Sequence, residues 1–421
     1  MIQGFSSGLI GNRELIYETD LPSFQRDFAA LKTLDHGTGP AITFTRASDA
    51  TYFDANGVLQ TASNNVPRFD HDPATGASRG LLIEEARTNT IIQSADLSTT
   101  WTTTGITVTT NQTTAPDGTS SADLIETTLV NEAHSIANSQ TYAAGAYTFS
   151  VFAKYEDHQW ITLRMGFGGD AKFATFDIQN AVTGTATSGV TRSITSVGGG
   201  WHRLVMTATL ATAGSQGVLI ILNDADDLNN TAYTGTGTGA YIWGAQLEAS
   251  AFPTSYIPTT TAAATRSADV AAINPIASFY NESEGTVFCE FVSVGRESAS
   301  IVNIDSGVGG NTNRHRVGLA ASLGVQWLTV VGTNQASITS SAATSAGDIV
   351  RFAGVYKQND FQAAVGGALG TADTSGNVPT GLTHFRIGRT TESPSYYGGH
   401  IRKVAYWPKR LSNTLLQQLT T

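Results

Sequence analysis

The chain has 421 residues, only 14% of them charged, and a formal net charge of −10. A single core does not grow to this length, so about two to four domains are expected. Acidic and basic residues are mixed without a basic stripe, which argues against nucleic acid as a partner. The 43 glycines, together with abundant Thr, Ser and Ala, favour short strands and turns over long helices.

The first residues lack the charged and apolar pattern of a signal peptide, and no apolar run approaches the roughly 20 residues that cross a bilayer. We therefore expect synthesis in the cytoplasm, no secretory signal and no membrane insertion. The stretch from Gly4 to Gly8 matches the nucleophile-elbow pattern GxSxG. Because no strand precedes it, we interpret it as part of a flexible terminus.

Residues 1–38 differ from the rest and are predicted to form an N-terminal attachment segment. A helix from about Pro22 to Leu34 is indicated by apolar residues at spacings of three and four, namely Leu21, Phe24, Phe28 and Leu31. Two interpretations stand side by side. The helix packs on its own chain, or it docks on other proteins or on further copies of the chain.

Residues 39–90 are rich in turn signals separated by short strand-like pieces, which predicts a β-rich linker module. The stretch from Thr43 to Asn89, TFTRASDATYF to LLIEEARTN, resembles a linker module of phage and prophage virion proteins. In those proteins the module precedes carbohydrate-binding-like domains in tail fibres and head spikes. The resemblance implies a structural role and carries over no catalytic residue.

Residues 91–260 contain several runs in which apolar and polar residues alternate, as expected for strands of an antiparallel sandwich. The apolar sets are Tyr147, Phe149, Val151, Ala153 and Tyr155, then Ile161, Leu163 and Met165, then Leu204, Met206, Ala208 and Leu210. The opening ADLSTTW and the close AYIWGAQLEASAFPTSYIPT resemble the two ends of carbohydrate-binding-module-like sandwiches in phage proteins.

Thr259 to Thr265 is the best candidate for a linker, and residues 266–421 follow as a last domain. The expected order is a strand from Ile349 to Tyr356, strands at 384–389 and 398–407, and a helix from Leu411 to Leu419. This order resembles the closing half of a laminin-G/concanavalin-A-like jelly roll. Cys289 is expected at a buried strand position. The predicted fold is all-β, with tandem antiparallel β-sandwich (jelly-roll) domains and a short N-terminal helical segment.

The sequence offers no metal motif and no enzyme signature. The eight histidines have no zinc-ligand spacing, and the single cysteine has no partner. The acidic cluster Asp224, Asp226 and Asp227 lacks the glycine turn and distal glutamate of an EF-hand, so we interpret it as a solvated loop. No cofactor is predicted, although the resemblance to both domain types leaves a structural calcium open.

Candidate carbohydrate contacts combine an aromatic ring with polar neighbours, because sugars present both C–H faces and hydroxyl groups. In the first sandwich they are Trp160, Arg164, Lys154, Tyr155 and His158; in loops of the second they are Asn311, Asn313, His315, Tyr396 and Tyr397. The alternative for Trp160 is that its aromatic face packs against a neighbouring domain or protomer.

Taken together, the resemblances imply a non-enzymatic virion appendage subunit, a phage tail fibre or head spike, that binds host-surface polysaccharide during adsorption. The N-terminal segment would contact other virion proteins. A homotrimer is expected by resemblance to fibres in general. Two alternatives remain: a purely structural decoration protein with protein contacts only, and a polysaccharide depolymerase.

Overall fold

The computed structural model describes residues 21–166, 168–228, 232–307, 311–320, 322–391 and 395–421. The described chain is nearly all-β and is built from several antiparallel sheets, which confirms the predicted fold class. The Gly4–Gly8 pattern and residues 1–20 of the predicted attachment segment lie outside the described residues. Within the described parts, neither helix is long and apolar enough to span a membrane.

The N-terminal part contributes seven short strands and one helical turn. They are β1 (Phe24–Asp27), α1 (Phe28–Leu31), β2 (Thr43–Thr45), β3 (Ala50–Phe53), β4 (Leu59–Ala62), β5 (Phe69–His71), β6 (Ser78–Ile83) and β7 (Arg87–Asn89).

The predicted helix from Pro22 to Leu34 is wrong. Strand β1 pairs antiparallel with residues 403–406, and only one helical turn follows it. Asp27 caps that turn by accepting a hydrogen bond from the backbone N–H of Ala30, and the turn ends at Lys32 in the left-handed conformation. Phe24 and Phe28 are fully buried. A strand followed by one turn thus places both rings in the core, at a spacing that also fits a helix.

The middle part forms a two-sheet sandwich. Its strands are β8 (Thr102–Thr104), β9 (Ile106–Thr113), β10 (Ala122–Thr127), β11 (Asn131–Glu132), β12 (Ser135–Tyr142), β13 (Gly145–Tyr155), β14 (Trp160–Met165), β15 (Lys172–Asp177), β16 (Val182–Ala186), β17 (Thr191–Gly198), β18 (Trp201–Leu210), β19 (Gly214–Asn223), β20 (Tyr233–Thr234) and β21 (Gly239–Glu248). One sheet has the order β17-β18-β13-β21-β10-β9, and the other β16-β15-β14-β19-β12-β8.

The core of this sandwich confirms the alternation seen in the sequence. All three predicted apolar sets face it, and Tyr155 packs at its margin. The outer face of the β13 sheet is also covered. Phe152, Trp201, Trp243 and Tyr256 form a second cluster there with Leu59, which comes from the β3–β4 hairpin. The N-terminal part therefore packs on the middle sandwich.

The C-terminal part contains β22 (Ala264–Arg266), β23 (Val270–Ile273), β24 (Glu284–Val292), β25 (Ser300–Asp305), β26 (Asn313–Leu319), β27 (Gly324–Val331), β28 (Thr333–Ala343), β29 (Ile349–Lys357), β30 (Gln362–Val365), β31 (Ala368–Leu369), β32 (His384–Ile387), β33 (Gly399–Trp407) and helix α2 (Asn413–Thr420). The expected strands and terminal helix are confirmed. Cys289 is fully buried on β24, also as expected.

The two sheets of the C-terminal sandwich are completed by N-terminal strands. One sheet runs β31-β30-β29-β24-β33-β6-β5 with β1 also on β33, and the other runs β2-β23-β32-β25-β26-β27-β28. Phe24, Phe44, Leu81 and Ile83 share the core of this sandwich. The structure thus does not separate residues 24–83 from the jelly roll as the predicted attachment segment and linker module did.

The chain leaves the C-terminal sandwich for the middle one and returns along two paired strands, β7 and β22. The predicted linker from Thr259 to Thr265 is tied down next to them. Thr259 is buried, and its hydroxyl donates to the Ile91 carbonyl at 2.6 Å. The segment is thus anchored at its start by Thr259 and by the Thr260 carbonyl, which accepts from the Gln93 N–H, and at its end by β22, while residues 260–263 between them are exposed.

A buried charge network fills the junction between the two sandwiches. It consists of Arg46, Arg68, Glu84, Arg266 and Asp269. Arg46 and Arg68 donate to the two carboxylate oxygens of Asp269 at 3.1 and 2.5 Å. Arg68 and Arg266 both contact Glu84, at 2.8 and 3.0 Å. Since buried charges are stable only when paired, this network fixes how the segments meet.

Glu84 also receives two hydrogen bonds from Ser255, whose segment follows the last strand of the middle sandwich. Burial alone raises the pKa of a carboxyl group, but the charges of Arg266 and Arg68 outweigh it here. The pKa of Glu84 therefore lies far below its usual range. Its carboxylate joins the two sandwiches as a permanent anion at neutral pH.

Candidate functional site

Trp160 lies half-buried on the outer face of the β14 sheet, opposite Asp177 and Asn223. The rest of that face is occupied by the chain itself. The Thr162 hydroxyl donates to the Asp227 carbonyl, and Arg164 is buried with its guanidinium 5.7 Å from the Phe173 ring centre. Burial lowers the pKa of Arg164. Thr162 and Arg164, which share this face of β14 with the indole, are thus already engaged by other residues of the described chain.

The remaining candidates of the first sandwich do not join Trp160. Lys154 and Tyr155 belong to β13, which lies in the other sheet, so they share no face with Trp160 on β14. The connection between the two strands crosses from one sheet to the other. His158 is buried, and its ring nitrogens contact the Thr238 hydroxyl at 2.9 Å and the Asn223 carbonyl at 3.0 Å. Burial lowers its pKa.

Three of the loop candidates in the second sandwich are structural. Asn311 accepts a hydrogen bond from Arg314, and Asn313 donates to the Thr380 carbonyl at 2.8 Å. His315 is fully buried in β26, where its ring stacks on Tyr356 at 3.9 Å. Burial lowers its pKa to about 3, so the ring is neutral at physiological pH.

The adjacent tyrosines Tyr396 and Tyr397 have different surroundings. Tyr397 is fully buried and its hydroxyl donates to the Val292 carbonyl. Tyr396 is half-buried, with the Arg389 guanidinium 5.5 Å from its ring centre. Burial raises the pKa of Tyr396 and Arg389 opposes that rise. Tyr396, one of the ten candidates, is among the residues that line a groove.

The two loops that carry the candidates of the second sandwich do not form one common site. In the antiparallel register Ser300 pairs with Gly318, and Asp305 pairs with Arg314. Asn311 therefore lies at the opposite end of β25 from Ser298, which lines the Tyr396 groove. A strand of this length separates its ends by about 17 Å, too far for one small ligand.

The groove, called the junction groove below, has a volume of about 520 Å³. Four separate segments meet there: Glu85–Arg87 before and in β7, Ala268, Arg296–Ser298 between β24 and β25, and Ser395–Tyr396 before β33. Its size falls within the range of small-molecule sites. The loops that line it are held by the sheets they connect, an arrangement typical of binding sites on rigid scaffolds.

The ring of Phe252 lies against both guanidiniums of the junction groove. The Arg296 guanidinium lies 3.4 Å from the ring centre of Phe252, and that of Arg87 lies 5.1 Å from it. Arg296 also donates to the Tyr397 carbonyl at 2.6 Å. Burial lowers the pKa of Arg296, while Glu85 opposes that change. Phe252 follows β21, so the middle sandwich positions groups of a groove that otherwise belongs to the C-terminal sandwich.

The acidic loop after β19 is held by the chain. The Asp226 carboxylate accepts hydrogen bonds of 2.8 Å from both the backbone N–H and the hydroxyl of Thr185. The Asp227 carbonyl accepts from Asn223 at 2.7 Å. Across the described ranges, no group of three or more His, Cys, Asp or Glu side chains is arranged to hold a metal ion.

No protein-family model and no curated protein matches the chain. Among solved structures, it is similar to the CBM40 module of the Ruminococcus gnavus IT-sialidase bound to α2,6-sialyllactose, with TM-score 0.31 and 15% identity over 34% of this chain and 87% of that one. The NanB sialidase of Streptococcus pneumoniae gives 0.30 and 15%, over 35% and 26%.

The mouse laminin α1 chain, domains LG4–5, gives a TM-score of 0.24 and 10% identity, over 79% of this chain and 91% of that one. Both kinds of sandwich expected from the sequence, a carbohydrate-binding module and laminin G domains, are thus among the similar structures. TM-scores of this size do not establish a shared family.

Sequence reasoning missed Glu85, Arg87, Arg296 and Glu297, which line the groove beside Tyr396. Arg296 and Glu297 belong to no recognisable motif, whereas Glu85 and Arg87 lie in the LLIEEARTN stretch, whose resemblance implied only a structural role. The groove exists because β7 and the loops before β25 and β33 come together, and they are far apart in the sequence. The one available signal is local: Arg296, Glu297 and Ser298 form a polar run shortly after the apolar strand β24, which ends at Val292.

Proposed function

We propose that this chain is a non-catalytic carbohydrate-binding protein and that the sugar binds in the junction groove. The observation that carries the proposal is the position of Tyr396. It is a half-buried ring at the edge of a 520 Å³ groove that also contains guanidinium, carboxylate and hydroxyl groups. An aromatic ring beside such groups suits a pyranose, which has a C–H face and several hydroxyls.

The wider role that we propose is that of a phage-particle appendage, a tail fibre or head spike, which adsorbs to host-surface polysaccharide. The support is the resemblance of residues 43–89 to virion linker modules. Individual grooves would bind weakly, and several copies, as in a homotrimer, would supply avidity. Residues at the N-terminus would contact other virion proteins.

A second candidate is a structural subunit with protein contacts only. One observation favours it: Leu129 and Val130, next to each other between β10 and β11, are 73% and 57% exposed. An exposed apolar pair of this kind suits contact with another protein. In this case the junction groove would bind no sugar.

The test is binding of the full-length protein to purified host polysaccharide and to a glycan array, with Tyr396→Ala, Tyr396→Phe and Trp160→Ala as variants. Tyr396→Ala should lower the affinity about tenfold, whereas Tyr396→Phe keeps the ring and should retain most of it. Trp160→Ala removes a comparable half-buried ring away from the groove and should change little. Thermal unfolding of each variant checks that the fold is intact.

Two results would contradict the proposal. If multivalent wild-type protein bound no glycan, the structural candidate would stand. If Trp160→Ala abolished binding and Tyr396→Ala did not, the site would lie on the β14 sheet. The groove also contains two carboxylates, Glu85 and Glu297, so the same incubation should be assayed for new reducing ends. Their appearance would identify a depolymerase.

A further inference from the structure

The polar groups in the junction groove differ in how many hydrogen bonds and ion pairs they already make within the protein. Arg87 is committed, since it donates to Glu85 at 2.7 Å, to the Ser250 hydroxyl at 3.0 Å and to the Ala86 carbonyl at 3.3 Å. Glu85 and Arg87 therefore neutralise each other. Neither offers an uncompensated charge to a ligand.

Arg296 and Glu297 are less committed. The one hydrogen bond that Arg296 makes within the described chain uses Nη2, and Phe252 supports the flat face of the guanidinium. Its other N–H groups remain for a ligand. Glu297 is exposed, and the described residues provide it with no hydrogen bond and no ion pair. A donor and an acceptor thus stand on consecutive residues at the groove wall.

Among the described residues outside the lining, Arg389 lies against the Tyr396 ring and donates to the Thr390 carbonyl at 3.2 Å. The negative charge of Asp269 also contributes to raising the pKa of Tyr396, but this carboxylate is buried and already bound by Arg46 and Arg68. The lining itself has two carboxylates and two guanidiniums. It therefore presents balanced charge, in a chain whose net charge is −10.

From this balance we infer that the junction groove takes a neutral hexose-type sugar and not an acidic one; the inference rests on the proposed function. A hydroxyl group both donates and accepts, so one or two adjacent sugar hydroxyls satisfy Glu297 and Arg296 together while the ring lies against Tyr396. A sugar carboxylate can use Arg296 only. It meets repulsion from Glu297.

The experiment measures the affinity for two sets of oligosaccharides, one neutral and one containing uronic or sialic acid. The proteins are the full-length wild type and its Glu297→Gln and Arg296→Gln variants. Asp224→Asn is the matched control, since it removes one exposed negative charge from the other sandwich. Wild type should prefer the neutral set, with affinity nearly unchanged between low and high salt. Glu297→Gln and Arg296→Gln should each lose about tenfold for neutral sugars, and Asp224→Asn nothing.

The outcomes separate this inference from the proposed function. Preferential binding of the acidic set, strengthened by Glu297→Gln and abolished by Tyr396→Ala, would overturn the neutral-sugar inference and leave the groove as the binding site. Failure of both sets to bind wild type would overturn the proposed function and the inference with it. If Glu297→Gln and Arg296→Gln both bound the neutral set as tightly as the wild type does, these two residues would not contact the sugar, and the inference would be wrong.

Discussion

The guanidinium of Arg68 donates a 2.5 Å hydrogen bond to the carboxylate of Asp269, and both side chains are fully buried. Arg68 precedes the middle sandwich in the sequence and Asp269 follows it. The pair therefore joins the two chain segments that lie before and after the inserted middle sandwich. Removing Asp269 takes away the carboxylate that Arg46 contacts and leaves Arg68 with Glu84 alone, in a site that water does not reach.

Asp269→Asn should therefore lower the free energy of unfolding by about 3–5 kcal/mol, because Arg46 and Arg68 lose their common anion. Urea unfolding monitored by circular dichroism measures the loss. Asp360→Asn is the control, since Asp360 is 46% exposed and pairs with Arg410 at 2.8 Å. Its removal should cost less than about 1 kcal/mol. Equal losses for the two variants would refute the importance of the buried network.

His315 predicts a pH dependence. Because burial lowers its pKa to about 3, the unfolded chain binds a proton below about pH 6.5 that the folded chain does not. Stability is therefore lost as the pH falls from about 6.5 towards 3. Between pH 7 and pH 5 this one residue should cost about 2 kcal/mol.

Urea unfolding at both pH values tests this, and His315→Gln should shrink the difference by about 2 kcal/mol. His36→Gln, at an exposed histidine, should leave it unchanged. If His315→Gln proves too unstable, an NMR titration of the wild type should show no protonation of the His315 ring above pH 4. Protonation near pH 6 in the folded protein would contradict the prediction.

Gly354 on β29 has no room for a methyl group, because an added Cβ would overlap ring carbons of Trp327. Gly354→Ala should lower the unfolding free energy by about 1–3 kcal/mol and alter the near-UV spectrum of the buried indole. Gly169→Ala is the matched change, with nothing within 4 Å of the added atom. A Gly354→Ala protein as stable as Gly169→Ala would mean that the Trp327 packing is loose.

Phe252 should matter for binding although it does not line the groove. Phe252→Ala removes the support of the Arg296 guanidinium, so sugar affinity should fall several-fold in the glycan assay with only a modest loss of stability. Phe173→Ala breaks a similar contact, with Arg164, far from the groove. It should leave affinity unchanged. Equal affinities in the two variants would show that Arg296 needs no support.

Much of the fold was predictable because one face of each long strand is buried. The alternation in β13, β14 and β18 identified the core residues of the middle sandwich directly. The N-terminal helix was mispredicted for a physical reason. Phe24 and Phe28 are four residues apart, and a short strand followed by one turn buries them as well as a helix would. Only the partner strand β33, at the other end of the sequence, distinguishes the two.

The site was less predictable than the fold. Trp160 was the first candidate because of its place on a polar strand face, yet that face is occupied by the Asp227 segment. Tyr396 was named, but its neighbours Arg87 and Arg296 were not, because they meet Tyr396 only through tertiary structure. Sequence periodicity reports burial, and it does not report which loops converge.

The pairing of Phe24–Asp27 with Gly399–Trp407 also sets an order of events during synthesis. The first strand leaves the ribosome long before its partner is made, and it must wait, unpaired, while the middle sandwich is completed. Loop closure over such a separation is slow. In the nascent chain β1 therefore has no pairing partner until β33 has been synthesised, the period in which a chaperone has most to protect.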